Sequence, residues 1–315
     1  MIKSKICDLL GIKYPIFQGG MAWIADASLA AAVSEAGGLG LISSINTSVE
    51  AVREEIHKCR QLTDKPFGVN IMLQSPDAAQ IAKLVIDENI KVVTTGAGSP
   101  AAYIQAWKEA GIIVIPVIAS VAYAQKMADL GADALIAEGA ESGGHIGDIH
   151  TMALVPQVVD AVDIPVIAAG GIFDGRGAAA AFMLGASGVQ MGTRFLVAEE
   201  CLVHSNYKER LIKANDIGTI VTGKTLGDAV RCLKNPFARK FYKMELDPTV
   251  PRDELMKVGT GTLKKAVVDG NFAEGSFLAG EVAGMITKVE PAADIIADVI
   301  SGAEKLLSTS NNFIY

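Results

Sequence analysis

Short apolar or β-branched runs recur along the chain at a steady interval: YPIFQ (14–18), GLGLI (38–42), FGVNIM (67–72), KVVTT (91–95), IIVIPV (112–117), DALIAE (133–138), PVIAAG (165–170) and SGVQMG (187–192). Between them lie Ala-, Glu- and Lys-containing stretches of helical length. One βα unit occupies about 20 to 30 residues, and continuously apolar strands are what a parallel sheet covered by helices requires. Eight such alternations predict a closed (β/α)8 TIM barrel of the α/β class. After Thr193 the alternation stops. Residues 200–257 read as loops and short helical patterns, 258–286 as a glycine-containing stretch, and 291–307 as an amphipathic helix. The expected organisation is a barrel over 1–199 and a C-terminal helical and loop extension over 200–315 that covers it.

Glycine placement distinguishes the two ends of this barrel. A helix that stops before a strand favours glycine in the left-handed region, whereas a ligand site at the end of a strand needs glycine just after it. Gly37, Gly111, Gly131 and Gly185 precede runs and read as helix stops. Gly19, Gly20, Gly96, Gly98, Gly143, Gly144, Gly170, Gly171 and Gly192 follow runs, on the rim where barrel enzymes carry their active sites.

Composition narrows the partners. With 35 acidic against 28 basic residues among 315, the formal charge is -7, a field that repels nucleic acid and anionic lipid surfaces. Cys7, Cys59, Cys201 and Cys232 are far apart with no C-x-x-C pair, so neither a disulfide framework nor a metal site is expected. The N-terminal 15 residues hold no apolar signal core and no apolar run approaches membrane-spanning length, which predicts a cytoplasmic protein without a membrane partner.

The candidate chemistry collects on the rim. AAGG (168–171) and QMGT (190–193) follow the seventh and eighth runs, where glycine access, free backbone N–H groups and a helix N-terminus make an anion site. A G-x-G-x-x-G after the first run and a P-loop are both absent, which disfavours Rossmann and P-loop nucleotide binding. The longest interval, 133 to 165, is lengthened by EGAESGGHIGDIH (138–150). This loop holds His145 and His150, and His145, beside Gly144, is the candidate general acid. Asn70 and Glu138 are polar residues expected at the ends of the third and sixth strands, where they could read the edge of a planar ring. Finally, RCLKNPFARKFYK (231–243) has five basic residues and no acidic one, so it is a local patch that could attract an anionic partner or cofactor.

YPIFQGGMAW (14–23), AGGLGLI (36–42), TDKPFGVNIMLQSP (63–76), VVTTGAGSP (92–100), AEGAESGGHIGDIHTM (137–152), PVIAAGGIFDG (165–175), QMGTRF (190–195) and GSFLAGEVAG (275–284) resemble, together and over nearly the whole chain, the flavin-dependent enoyl-acyl carrier protein reductase II (FabK) family. That family is related to the nitronate monooxygenases, which share the barrel, the FMN and the GGH loop. The resemblance implies FMN held by Gly19, Gly20, Met21, Asn70, Glu138, Gly143, Gly144, Gly170, Gly171, Gln190, Met191, Gly192 and Thr193, with His145 as the catalytic residue. It further implies NADH or NADPH as donor, a trans-2-enoyl thioester on acyl carrier protein as acceptor in fatty-acid elongation, stimulation by a monovalent cation, and a homodimer. Monooxygenases usually read Q-A-P-M-A-G at the first strand and Gln after the sixth. Here Gln18-Gly19-Gly20-Met21-Ala22-Trp23 and Glu138 stand in those places, which favours the reductase. SSINTS (43–48) departs from the glycine-rich loop common in the reductases. The alternatives are a nitronate monooxygenase and a flavin-binding barrel that only senses or scaffolds.

Overall fold

The computed structural model describes residues 2, 4–45 and 47–309. Asn46, within the SSINTS departure, and residues 310–315, at the end of the expected extension, lie outside the described residues. The strands are β1 (Ile16–Gln18), β2 (Gly40–Ser43), β3 (Phe67–Met72), β4 (Val92–Gly96), β5 (Ile113–Ile118), β6 (Leu135–Glu138), β7 (Gly144–His145), β8 (Val166–Ala169), β9 (Gly188–Met191), β10 (Thr219–Thr222) and β11 (Val230–Leu233). All eight runs read from the sequence become parallel strands of one sheet, in the order β1-β9-β8-β6-β5-β4-β3-β2. The seam between β1 and β2 is closed by Leu39 N–H donating to Ile16 O at 2.8 Å and Gln18 N–H to Leu39 O at 3.0 Å. The buried Gln18 side chain extends the seam, its Oε1 accepting from Leu41 N–H at 3.0 Å. The architecture is therefore a (β/α)8 TIM barrel.

The helices between strands bury one stripe each. Ala27–Glu35 starts at Asp26, which accepts from Leu29 N–H, and lies so close on β2 that a Cβ at Gly40 would fall 1.9 Å from Ala30 O. The helix stops at Gly37, whose φ of 93° puts it in the left-handed region. Gly111, Gly131 and Gly185 play the same part before β5, β6 and β9.

The short helix Lys5–Leu10 plugs the N-terminal end of the barrel. Its Ile6 and Leu10 join Phe17, Leu39, Leu41, Val92, Ile115, Ile136 and Ile167 in one buried cluster. Burying apolar surface here closes the bottom of the barrel, and the opposite rim is the face where barrel enzymes keep their sites.

Residues 200–257 differ from the loops and short helices expected of them, because β10 and β11 form an antiparallel pair whose third partner is β7 inside the loop after β6. The two strands are four residues each, too short for a period-2 signal, and β7 is some 85 residues away in sequence. The same pairing gives the long loop its reason. Helix Ala292–Ser308 lies against Gly175–Met183 and Ala27–Glu35, crossing the former where Gly175 and Gly302 touch. Arg194 and Glu290, both buried, tie β9's exit to the residues before that helix at 2.5 Å.

Candidate active site

One cavity of about 770 Å³ opens at the C-terminal ends of the strands, a volume suited to a cofactor-sized ligand. Every site residue read from the sequence lines it: Gly19, Gly20 and Met21 after β1; Asn70 from β3; Glu138, Gly143, Gly144 and His145 from β6 and its loop; Gly170 and Gly171 after β8; Gln190, Met191, Gly192 and Thr193 from β9 and its exit. Asn70 does not end its strand as expected. β3 runs two residues further, to Met72, because β4 pairs with it as far as Gly96.

Asn70 is buried, and its Oδ1 accepts from the Thr94 hydroxyl at 2.8 Å. That fixes the amide, whose Nδ2 has no protein partner among the described residues and is the donor left for a ligand. Glu138, the last residue of β6, has its carboxyl pushed up to about 7 by burial, an effect the Ser142 side chain partly opposes. The buried Ser142 hydroxyl faces that carboxyl without reaching good hydrogen-bond geometry.

The two helix N-termini expected to serve an anion differ in their capping. The helix after β8, Gly175–Met183, is already capped by Asp174, which accepts from Arg176 N–H at 2.9 Å. The 3-10 turn Thr193–Val197 after β9 starts at Gly192 with no side-chain cap, so its N-terminus is the one available to an anion. Thr193 Oγ1 accepts from Gly280 N–H at 2.8 Å, which fastens the extension to this loop. On the far side, Glu141 caps helix Thr151–Ala161 through Thr151 N–H at 2.9 Å, with His150 Nδ1 at 3.7 Å.

His145 sits on β7, opposite Val230 of β11. Its Nε2 lies 3.1 Å from Asp228 Oδ1. Of the other histidines, His57 pairs with Glu88 at 3.0 Å on helix Val49–Leu62 and His204 caps helix Ser205–Ile212, both outside the cavity.

The basic segment 231–243 divides in two. Arg231 is buried on β11, where its guanidinium donates to Ala140 O at 3.0 Å and to Thr219 Oγ1 at 3.2 Å and meets Glu281 at 3.1 Å. It stitches the long loop to the extension and is no part of a surface patch. Lys234, half-buried, precedes helix Pro236–Glu245, which carries the other three, Arg239, Lys240 and Lys243, all exposed. The four cysteines are unpaired, and burial pushes the Cys59 and Cys232 thiols up to about 12.

Sequence reasoning missed Ser142, Tyr123, Leu278 and Asp228. The first three line the cavity. Ser142 lies inside the loop already singled out, but Tyr123 and Leu278 carry no motif. Asp228 reaches His145 only through the β7–β11 pairing, which no local pattern announces.

The closed barrel with a cavity at its C-terminal rim has the architecture of the (β/α)8-barrel enzymes. The nitronate monooxygenase family profile matches residues 3–85 and 79–302, and the chain belongs to that family of oxidoreductases. It is similar to FabK from Thermotoga maritima at 48% identity, with a TM-score of 0.97 over 100% of both chains. It is also similar to nitroalkane oxidase from Streptomyces ansochromogenes at 27% identity and a TM-score of 0.84, over 96% of this chain and 99% of that one. A Mycobacterium tuberculosis protein, (3aS,4S,5R,7aS)-5-hydroxy-7a-methyl-1-oxo-octahydro-1H-indene-4-carboxyl-CoA dehydrogenase, is 36% identical over 99% of each chain. A probable nitronate monooxygenase of Staphylococcus aureus is 31% identical over 97% of this chain and 98% of its own. The resemblance to FabK and the monooxygenases read from the motifs agrees with these findings.

Proposed function

We propose that the protein is an FMN-dependent enoyl-acyl carrier protein reductase that uses NADH or NADPH to reduce trans-2-enoyl thioesters in fatty-acid elongation, as a cytoplasmic homodimer. The observation that carries this reading is the full-length likeness to FabK at 48% identity. In this reading the barrel, 1–199, holds the cofactor and the extension, 200–315, covers it.

The residues present fit FMN. A Cβ at Gly96 would meet no protein atom within 4 Å, and one at Gly192 only the Met21 side chain from 3.6 Å, so glycine there clears cavity space. The Asn70 Nδ2, without a protein partner among the described residues, is a polar atom left for a ligand. Gly19, Gly20, Met21, Asn70, Glu138, Gly143 and Gly144 would hold the ring system. Gly170, Gly171, Gln190, Met191, Gly192 and Thr193 would hold the phosphate and its approach, with the uncapped turn at Gly192 as the anion donor. Bound FMN supplies the two-electron chemistry of the reduction. Around it, this chain's residues orient and protonate: His145 at the mouth holds the proton that the α-carbon of the product needs. Glu138, kept substantially protonated near neutral pH by burial, adds no full charge beside the ring.

The test mixes the purified protein with NADH or NADPH under anaerobic conditions, adds crotonyl-coenzyme A and follows nicotinamide absorbance. Thioester-dependent oxidation without oxygen supports the reductase. No oxidation, together with oxygen uptake on an alkyl nitronate, selects the monooxygenase instead. A second reading, oxidoreduction of a coenzyme A thioester of a ring carboxylate, is favoured by the likeness to the Mycobacterium tuberculosis dehydrogenase. Competition between crotonyl- and alicyclic carboxyl-coenzyme A thioesters separates the two. Sizing by light scattering tests the homodimer, and turnover with and without added potassium tests the monovalent cation.

A further inference from the structure

The turn between β10 and β11 is built to deliver one carboxylate. Gly223 and Gly227, with φ of 80° and 73°, close it in left-handed conformations that other residues rarely adopt. A Cβ at Gly223 would fall 2.3 Å from Asp228 O. Asp228 N–H donates to Gly223 O at 3.1 Å, and Gly223 N–H donates in turn to the buried Glu245 carboxylate from the helix behind. The next residue, Ala229, accepts from Ile146 N–H at 3.0 Å, and Val230 pairs with His145. Backbone bonds thus bracket both side chains of the His145–Asp228 pair.

The pair is not explained by stability. Both side chains are more than half exposed, at 59% and 65%, and exposed ion pairs contribute about 0 to 1 kcal/mol. The neighbouring charges are already engaged: Arg231 with Ala140 O and Glu281, and His150 beside Glu141. Asp228 is the carboxylate within reach of the imidazole, and it meets Nε2. Among the described residues Nδ1 has no partner.

The geometry points to Asp228 as the positioning residue of His145: its carboxylate accepts a hydrogen bond from Nε2–H, so the neutral ring keeps its proton on Nε2, and Nδ1 is the nitrogen that takes up a proton from solvent and passes it to substrate, the ring returning to the Nε2–H tautomer. Which nitrogen carries the proton is set by the bond the other ring nitrogen makes. Asp228 itself touches no reacting atom. The catalytic part of this statement rests on the reductase reading; the tautomer does not.

The experiment therefore has two arms. The first is 15N NMR of the histidine side chains in the purified, flavin-loaded protein in mildly alkaline buffer, with His145→Gln to assign the signal. The expected result is an Nε2–H tautomer for His145 in the native chain and a tautomer mixture in Asp228→Ala. Identical His145 signals in both overturn the proposal. The second arm is kinetic. Asp228→Ala should lower kcat with crotonyl-coenzyme A about tenfold, in line with losing the second partner of a working histidine. KM and bound flavin should be unchanged, as should the thermal midpoint. In a His145→Gln background the same change should have no further effect. An unchanged kcat, or an equal loss in that background, overturns the positioning role. If the native protein fails to reduce crotonyl-coenzyme A, it is the reductase reading that falls, and the tautomer still decides the Asp228 assignment.

Discussion

Gly20 lies so close under Asn70 that a Cβ built on the glycine would stand 2.3 Å from Asn70 Cγ. The loop after β1 and the side chain from β3 are thus interlocked. The amide is pinned from the other side by the Thr94 hydroxyl at 2.8 Å. The amide is thereby held in place at the wall of the cavity that Gly20 and Asn70 both line.

Two glycine substitutions separate packing from ligand space. Gly20→Ala should displace Asn70, cost roughly 1 to 3 kcal/mol of stability by overpacking, and leave the protein short of FMN. Gly192→Val should cost little stability, since a Cβ there meets only the Met21 side chain, from 3.6 Å, yet abolish flavin retention. The flavin-to-protein absorbance ratio and the thermal midpoint measure both effects. Stoichiometric FMN in the Gly192 variant would remove the phosphate loop from the cofactor site.

Glu138 makes a pH prediction with a definite sign. Burial pushes its carboxyl from 4.5 up to about 7, so between those values the folded chain binds a proton that the unfolded chain has released. The stability contributed is full below about 4.5 and is lost as the pH rises through about 7. In flavin-stripped protein, the stability of the native chain relative to Glu138→Gln should fall by up to about 3 kcal/mol across that window. Urea unfolding at a series of pH values reads the difference. Parallel curves for the two proteins would mean that the carboxyl titrates normally.

His145→Ala tests the proton donor. Removing one general acid costs about a hundred- to ten-thousandfold in rate, and because His145 lies on a short strand held by backbone pairing to Val230, the cavity should keep its shape. Enoyl reduction should collapse while nicotinamide still reduces the bound flavin in a stopped-flow trace. Normal turnover would reduce His145 to a rim residue without chemistry.

The barrel was legible because its strands are buried on both faces and so read as continuous apolar runs, such as FGVNIM and IIVIPV, each followed by a helix-length stretch. The rim glycines were legible for a related reason: a position just after a strand that carries no side chain marks a place where a ligand or another backbone comes close. Asn70 and Glu138 stood out as polar residues in apolar runs. What escaped depends on contacts between distant segments. β10 and β11 have four residues each, and their third partner is β7; Asp228 and Leu278 reach the site only through that pairing and the fold of the extension. Arg231 reads as one more cation among five, and only its bonds to Ala140 O and Thr219 Oγ1 reveal it as a buried stitch.

Removing Arg231 from the basic segment sharpens what remains. On helix Pro236–Glu245 the exposed Arg239, Lys240 and Lys243 fall within an arc of about 100° at 3.6 residues per turn, opposite the buried stripe of Ala238, Phe241 and Glu245. None of the three makes an ion pair among the described residues. The helix stands behind the turn that carries Asp228, joined to it by Glu245 and Gly223, so a partner held there has the rim within reach. In a chain of charge -7 this face would attract an acidic protein that the global field repels, and under the proposed function that protein is acyl carrier protein, which is acidic. Such attraction is screened over a Debye length of about 8 Å at physiological ionic strength, so it should appear in KM and depend on salt. Coenzyme A thioesters lack the protein surface and supply the control. Lys240→Glu combined with Lys243→Glu should raise KM for enoyl-acyl carrier protein several-fold more than for crotonyl-coenzyme A or the nicotinamide, and added salt should shrink the native chain's advantage. Equal effects on all three substrates would assign these lysines to a shared anion site, and no effect on any would leave them a solvated helix face.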